Sequence, residues 1–173
     1  MKISISGHGG AGKDTLAGWM KENTTLSYTK STSAYIKTEM FHHMRVLGFE
    51  YLDEEACYAD RMNHRELWAE YIDLFNAKDP ARLYKRCLAE QDILTGVRRS
   101  HEFKAVLDLN VIDLKIWVEM PGNKIDTTQT YGAECCDVTI LNIKDKPELM
   151  FCAAKNLFKA MGVLRYVAAS RRG

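Results

Sequence analysis

The sequence predicts an α/β fold with a parallel sheet of about five strands and helices on both faces. Short apolar runs alternate along the chain with segments of helical periodicity, and the first run leads through a glycine-rich turn into a helix. Strands separated by helices pair in parallel and are covered on both sides. Ligands of such sheets bind beyond the carboxyl ends of the strands, so we examine those positions for function.

Four apolar runs predict strands, and residues 25–30 are a further candidate. The four runs are residues 2–6, 92–97, 111–118 and 138–143. In the third run the apolar residues 112, 114, 116 and 118 share one face, which favours a half-exposed or edge strand. Helical patterns cover residues 15–20 and 32–47, two or three segments within 53–91, then 100–107 and 145–162.

Composition limits the range of functions. The 173 residues suit one domain, 1–173, which carries a helical insertion at about 50–91. A net charge of +1 gives no support for stable nucleic-acid binding, and no apolar run is long enough to span a membrane. Five cysteines without C-x-x-C spacing favour reduced thiols, and therefore a cytoplasmic protein.

Residues 7–15, Gly-His-Gly-Gly-Ala-Gly-Lys-Asp-Thr, fit the phosphate-binding pattern G-x-x-x-x-G-K. We call this segment the phosphate loop. Its glycines let backbone N–H groups converge on phosphate oxygens, and the following helix adds its partial positive charge. Lys13 would reach the β- and γ-phosphates. The predicted ATP-binding residues of this loop are Gly10, Ala11, Gly12, Lys13, Asp14 and Thr15.

The end of this motif departs from the usual one. Ser or Thr normally follows the lysine and ligates Mg²⁺, but here Asp14 follows and Thr15 comes next. This ending disfavours GTPases and motor-type ATPases. Asp14 is expected to hold Mg²⁺ through a water or to orient the acceptor, and a helix-capping role is an equal alternative.

The Gly-Lys-Asp-Thr ending resembles that of bacteriophage deoxynucleoside monophosphate kinases, which have the P-loop kinase fold. Residues 94–100, Leu-Thr-Gly-Val-Arg-Arg-Ser, are similar to the Leu-Asp-Gly-Phe-Pro-Arg-Thr stretch of adenylate-kinase-like enzymes. That match implies that Arg99 binds the acceptor phosphate, with Arg98 as the alternative. Thr95 stands where those enzymes have the aspartate, so the match implies no acidic metal ligand there.

The same resemblance implies further site residues. Arg65 at the start of a helix and Lys37 would contact the acceptor nucleotide, and Asn142 would lie near the adenine of ATP. Arg82 and Arg86, one helical turn apart, would converge on phosphates or form surface charges. The aromatic residues Trp68 and Tyr71 would stack on a base or belong to the core.

The resemblance implies transfer of a phosphoryl group from ATP to a deoxynucleoside 5′-monophosphate, a reaction with a phosphate group as acceptor. Lys13, Arg98 and Arg99 would be catalytic, and Asp14 and Thr15 would hold Mg²⁺ through water. The helical insertion would bind the acceptor and close over it. If the protein is phage-encoded, it would act in the host cytoplasm. The expected partners are small-molecule nucleotides, and a homodimer is left open. The alternatives are another acceptor, such as dephospho-coenzyme A or a modified base in phage DNA, or a nucleotide-binding module without catalysis.

Overall fold

The computed structural model describes residues 1–165, so residues 166–173 of the predicted domain lie outside the description. Within the described residues a four-stranded sheet has the order β2-β1-β3-β4, and each neighbouring pair is parallel. The strands are β1 (Ile3–Ser6), β2 (Ile93–Thr95), β3 (Leu114–Glu119) and β4 (Val138–Leu141). The prediction of an α/β fold with a parallel sheet is confirmed.

Helices connect β1 to β2 and β2 to β3, residues 120–137 connect β3 to β4 without an α-helix, and a last helix follows β4. The bounds of the helices are α1 (Lys13–Asn23), α2 (Thr32–Tyr35), α3 (Lys37–Val46), α4 (Glu54–Ala59), α5 (Arg65–Phe75), α6 (Arg82–Glu90), α7 (Ser100–Leu107) and α8 (Pro147–Ala160). The helix predicted over 32–47 is divided at Ile36 into α2 and α3. Helices α4, α5 and α6 lie within residues 50–91, between β1 and β2, and we call this segment the insertion. No helix in residues 1–165 combines the length and apolar character needed to cross a membrane.

Two separate apolar cores confirm that helices cover both faces of the sheet. On one face, Ile5 and Ile116 of the sheet pack with Leu16 of α1 and Phe158 of α8. On the other face, Leu94 and Trp117 pack with helices α2 to α7. Alternation of side chains along each strand divides the apolar residues between these cores.

The expected fifth strand at residues 25–30 is wrong, because this segment is not a strand in the described chain. It runs beside the edge of β2, where the carbonyl of Ser27 accepts from the Asp92 amide at 2.9 Å. The Gln91 side chain accepts from the Thr29 amide at 2.9 Å and donates to the Lys30 carbonyl at 3.0 Å. A side chain therefore satisfies backbone groups that a strand ladder would otherwise pair.

The expectation that residues 111–118 form a half-exposed or edge strand is also wrong. Strand β3 lies inside the sheet, paired with β1 on one side and β4 on the other. Its second face carries Trp117, which is buried against the insertion side of the molecule. This one aromatic residue gives β3 a second apolar face that the four aliphatic positions do not reveal.

Candidate functional site

The phosphate loop connects the end of β1 to the start of α1 at the carboxyl edge of the sheet. Gly7 and Gly12 have positive φ angles of 140° and 97°. A Cβ at Gly7 would meet the Val118 carbonyl of β3, and one at Gly12 would meet the side-chain amide of Asn142. Both positions therefore need glycine, because neighbouring groups brace the loop on these sides.

Lys13 turns back over this loop. Its Nζ donates to the carbonyls of Gly7 at 2.7 Å and His8 at 2.8 Å. Burial, together with repulsion from Arg98, lowers the pKa of Lys13 to about 8, although Asp14 and Asp126 act in the opposite direction. The ammonium group is thus held at the phosphate loop, where a bound anion would stabilise its charge.

Asn142 lies directly after β4, with 6% of its surface exposed. Its Nδ2 donates to the Ala11 carbonyl at 2.9 Å. The resemblance placed this residue near adenine, whereas its side chain in the structure supports the phosphate loop itself. The order of the strands makes this contact, because β4 ends at the same edge as β1.

Asp14 and Thr95 meet across the gap between α1 and β2. The Thr95 hydroxyl donates to Asp14 Oδ1 at 3.1 Å, and the Tyr28 hydroxyl donates to the same oxygen, also at 3.1 Å. The carboxylate of Asp14 therefore follows the lysine, where a hydroxyl is usual, and the hydroxyl of Thr95 stands at the end of β2, where the resemblance implies a carboxylate. Thr15 is exposed beside Asp14. These hard oxygen atoms fit Mg²⁺, and Tyr28 is a member of the cluster that sequence reasoning missed.

Arg65 and Arg98 share one carboxylate oxygen of Asp126. Arg98 Nη1 donates to Asp126 Oδ2 at 2.7 Å and to Thr128 Oγ1 at 2.8 Å, and Arg65 Nη2 pairs with the same Oδ2. The other oxygen accepts from the Thr128 hydroxyl at 2.6 Å. Burial of the Asp126 carboxyl works to raise its pKa, but the Thr128 hydrogen bonds and the two arginines outweigh it and lower the pKa.

Asp126 belongs to residues 121–136, a segment that we call the polar loop. Asn123 Nδ2 donates to the Gly9 carbonyl at 2.8 Å, and the Asp126 amide donates to His8 Nδ1 at 3.3 Å. The Thr130 amide donates to the Arg98 carbonyl at 2.9 Å. The polar loop therefore joins the phosphate loop to the end of β2. The Asp-x-Thr pattern at 126–128 signals a local turn, but not the arginine partners.

Arg99 points to a different part of the molecule from Arg98. Its Nε lies 3.3 Å from Asp73 Oδ2 on α5, and its backbone amide donates to Glu102. Adjacent residues after a strand project in different directions, so only Arg98 reaches Asp126. The structure thus brings Lys13, Arg65 and Arg98 together and places Arg99 beside α5.

The other residues predicted to bind the acceptor also lie in different parts of the structure. Lys37 and Arg86 line a common cavity of about 610 Å³, together with Glu54, Glu55 and Tyr58. Lys37 pairs with Glu55, and Arg86 pairs with Glu39 at 3.0 Å. Arg82 instead lies over the Phe75 ring, 4.1 Å from its centroid.

Trp68 packs within the insertion, whereas Tyr71 packs against α3. Trp68 is 5% exposed and lies edge-on to Tyr58, while the Tyr71 ring lies 4.5 Å from that of His43. Trp68 also lines a small cavity of about 30 Å³ with Ser33, Arg61, Arg65 and Arg98. Its indole Nε1 is buried and has no hydrogen-bond partner among the described residues.

No protein-family model matches the sequence, and no curated protein matches it. Among solved structures, the fold is similar to that of an unliganded sugar kinase from Janibacter sp. HTCC2649. The TM-score is 0.48 and the identity 16%, over 95% of this chain and 98% of that chain. What the fold and the site define is an α/β protein whose phosphate-binding motif lies at the carboxyl edge of a parallel sheet.

Proposed function

We propose that this protein is a Mg²⁺-dependent kinase that transfers the γ-phosphoryl group of ATP to the phosphate of a deoxynucleoside 5′-monophosphate. One observation carries the proposal: the phosphate loop with Lys13 faces two arginines, Arg65 and Arg98, that share the buried Asp126. Transfer between two phosphates requires cationic groups on both sides of the reacting atoms, because both reactants are anions.

On the donor side, the loop amides and Lys13 bind the β- and γ-phosphates. Lys13 exchanges its bonds to the Gly7 and His8 carbonyls for bonds to phosphate oxygens. Asp14, supported by Thr95 and Tyr28, would hold Mg²⁺ through water, with Thr15 beside it. When bound, the metal neutralises charge on the phosphates.

On the acceptor side, Arg98 and Arg65 bind the monophosphate, and Arg99 is the alternative that the resemblance implies. A cavity of about 610 Å³, lined by Lys37 and Arg86, falls in the size range of small-molecule sites and would take the nucleoside. Tyr58 contacts residues of both places, since Ser33 and Arg61 line the small cavity beside Arg65 and Arg98. It lines the large cavity, its hydroxyl lies 3.5 Å from Ser33 Oγ, and Arg61 lies over its ring at 4.1 Å.

In the reaction, an oxygen of the acceptor phosphate forms a bond to the γ-phosphorus while the bond from that phosphorus to the β–γ bridging oxygen breaks. The products are ADP and a deoxynucleoside diphosphate. A phosphate monoester is largely ionised near pH 7, so the acceptor needs no general base. The insertion and the polar loop would exclude water and thereby suppress hydrolysis of ATP.

The test is a coupled assay in which the protein and Mg·ATP are given dAMP, dGMP, dCMP or dTMP in separate reactions. We expect ADP and the matching diphosphate with at least one of them, and no product with Lys13→Ala, whose fold should remain intact by circular dichroism. Turnover with dephospho-coenzyme A alone would replace the acceptor and contradict the proposal. Nucleotide binding without turnover of any acceptor would favour a non-catalytic module.

A further inference from the structure

The guanidinium group of Arg65 lies directly against Gly9 of the phosphate loop. A Cβ at Gly9 would overlap both Nη atoms and would lie 2.6 Å from Cζ. Gly7, Gly10 and Gly12 have positive φ angles, but Gly9 does not. The backbone at Gly9 would therefore accept alanine, but its Cβ would displace the guanidinium group of Arg65.

Arg65 is fixed in this position before any nucleotide binds. Its Nη2 pairs with Asp126, its Nη1 lies 3.5 Å from Met62 Sδ, and its side chain is 21% exposed. Asp126 is anchored in turn by Arg98 and Thr128. A guanidinium that is already oriented loses little freedom on binding an anion, which makes this an effective position for a phosphate ligand.

This position lies beside the part of the loop that is expected to hold the β- and γ-phosphates. Lys13, the residue expected at the β- and γ-phosphates, rests on the carbonyls of Gly7 and His8, and Gly9 is the next residue of the chain. Arg65 and Lys13 thus approach the same part of the loop from two elements. The positive charge of Arg65 also contributes to the low pKa of Lys13.

We infer that Arg65 is a catalytic residue that contacts the transferred phosphoryl group itself, as an arginine finger supplied within the chain. The inference rests on the proposed function and extends it, since the resemblance placed Arg65 on the acceptor alone. As the bond to the β–γ bridging oxygen breaks and the bond to the acceptor forms, charge spreads over the equatorial oxygens of the phosphoryl group. The guanidinium neutralises this charge, and no proton is transferred.

A double-mutant cycle tests the contact between Gly9 and Arg65. We expect Arg65→Ala to lower kcat by about a thousandfold, the scale known for arginine fingers. Gly9→Ala, which displaces the guanidinium, should lower kcat by about 100-fold, the effect of a misplaced catalytic group. In the Arg65→Ala background, Gly9→Ala should add almost nothing. Equal losses in both backgrounds would mean that Gly9 serves the phosphate directly, and would overturn the inference.

Gly18→Ala is the matched control, because Gly18 lies within α1 and a Cβ there meets nothing within 4 Å. It should leave kcat and KM unchanged. Arg65→Lys should recover only part of the rate, since an ammonium group lacks the planar fork. Full recovery with lysine would point to charge alone and contradict the assigned contact.

A second measurement separates this inference from the proposed acceptor. The affinity for Mg·ADP is compared with and without aluminium fluoride, which imitates the transferred phosphoryl group, in the absence of any acceptor. The fluoride should tighten binding to the wild type and to Arg45→Ala, whose exposed arginine lies on α3. It should have no effect on Arg65→Ala, which should bind Mg·ADP normally.

The outcomes distinguish the two claims. If no deoxynucleoside monophosphate is phosphorylated but the fluoride effect depends on Arg65, the acceptor is wrong and the inference stands. If transfer occurs while Arg65→Ala keeps the fluoride effect and only the acceptor KM rises, the inference is wrong and the function stands. A wild-type protein without any fluoride effect also overturns the inference.

Discussion

The ammonium group of Lys13 is buried beside Arg98, and its pKa is lowered to about 8. Bound polyphosphate stabilises the charged form and raises the pKa again, so nucleotide binding at pH 8.5 should take up protons. Calorimetry in two buffers of different ionisation enthalpy measures this uptake. The same shift means that ATP affinity should fall as the pH rises through 8. The Lys13→Arg variant, whose guanidinium is charged at every accessible pH, should show no proton uptake on nucleotide binding. If the wild type also showed no proton uptake, this assignment of Lys13 would be contradicted.

Asp126 joins two arginines through one oxygen and is 5% exposed. Its folded-state pKa is lowered, so it stabilises the fold at pH above the ordinary value of 3.8, and this contribution is lost as the pH falls through the lower folded-state pKa. Asp126→Asn should reduce the free energy of unfolding at pH 7 by about 1–3 kcal/mol, the range for a hydrogen bond to a charged group. The difference from wild type should shrink on acidification.

Urea titrations at pH 7 and at acidic pH provide the measurement for Asp126→Asn. Asp79→Asn is the control, because the Asp79–Lys85 pair is exposed on the surface and should contribute little at either pH. A wild-type-like unfolding free energy for Asp126→Asn at pH 7 would show that the two arginines do not depend on this carboxylate.

At the scale of elements, helix α6 offers two arginines one turn apart in different surroundings. Arg86 lines the large cavity with Lys37, whereas Arg82 lies over Phe75. Arg86→Ala should raise the KM for the deoxynucleoside monophosphate by about tenfold, with little change in kcat, because it removes a charged contact to the acceptor. Arg82→Ala should have a smaller effect. The opposite order would show that the acceptor does not occupy this cavity.

The phosphate loop could be predicted because its chemistry is local: strand, glycines, lysine and helix follow one another in the sequence. The choice between Arg98 and Arg99 could not be made, since it depends on how the chain leaves β2. The role of Asp126 was invisible for another reason. Its partners Arg98 and Arg65 lie 28 and 61 residues away, and no local pattern specifies such contacts.

The sheet shows the same limit. The apolar runs predicted all four strands of the described sheet. The fifth candidate, residues 25–30, is not a strand, and the side chain of Gln91 bonds to the backbone amides of residues 29 and 30. Trp117 is buried on the second face of β3, and β3 lies inside the sheet rather than at its edge. Both deviations involve single side chains whose partners lie elsewhere in the fold.

At the scale of the whole molecule, the insertion and the polar loop meet over the phosphate loop. Asn123 forms one of these contacts, to the Gly9 carbonyl at 2.8 Å. Asn123→Ala should loosen the cover and admit water, so ATP hydrolysis without acceptor should rise relative to phosphoryl transfer. Gln129→Ala is the control, because the Gln129 amide bonds within the polar loop, to the Tyr131 carbonyl at 3.3 Å. An unchanged ratio in Asn123→Ala would show that this loop does not exclude water.

Phosphorus NMR of a single reaction follows the fate of the transferred group. Protein, Mg·ATP and an accepted deoxynucleoside monophosphate are mixed, and the ADP and deoxynucleoside diphosphate signals are followed together. We predict that the two products appear in equal amounts, without free phosphate, and that neither appears with Lys13→Ala. Release of ADP and inorganic phosphate without the diphosphate, or full activity of Lys13→Ala, would contradict a phosphate loop that delivers its γ-phosphoryl group to a nucleotide.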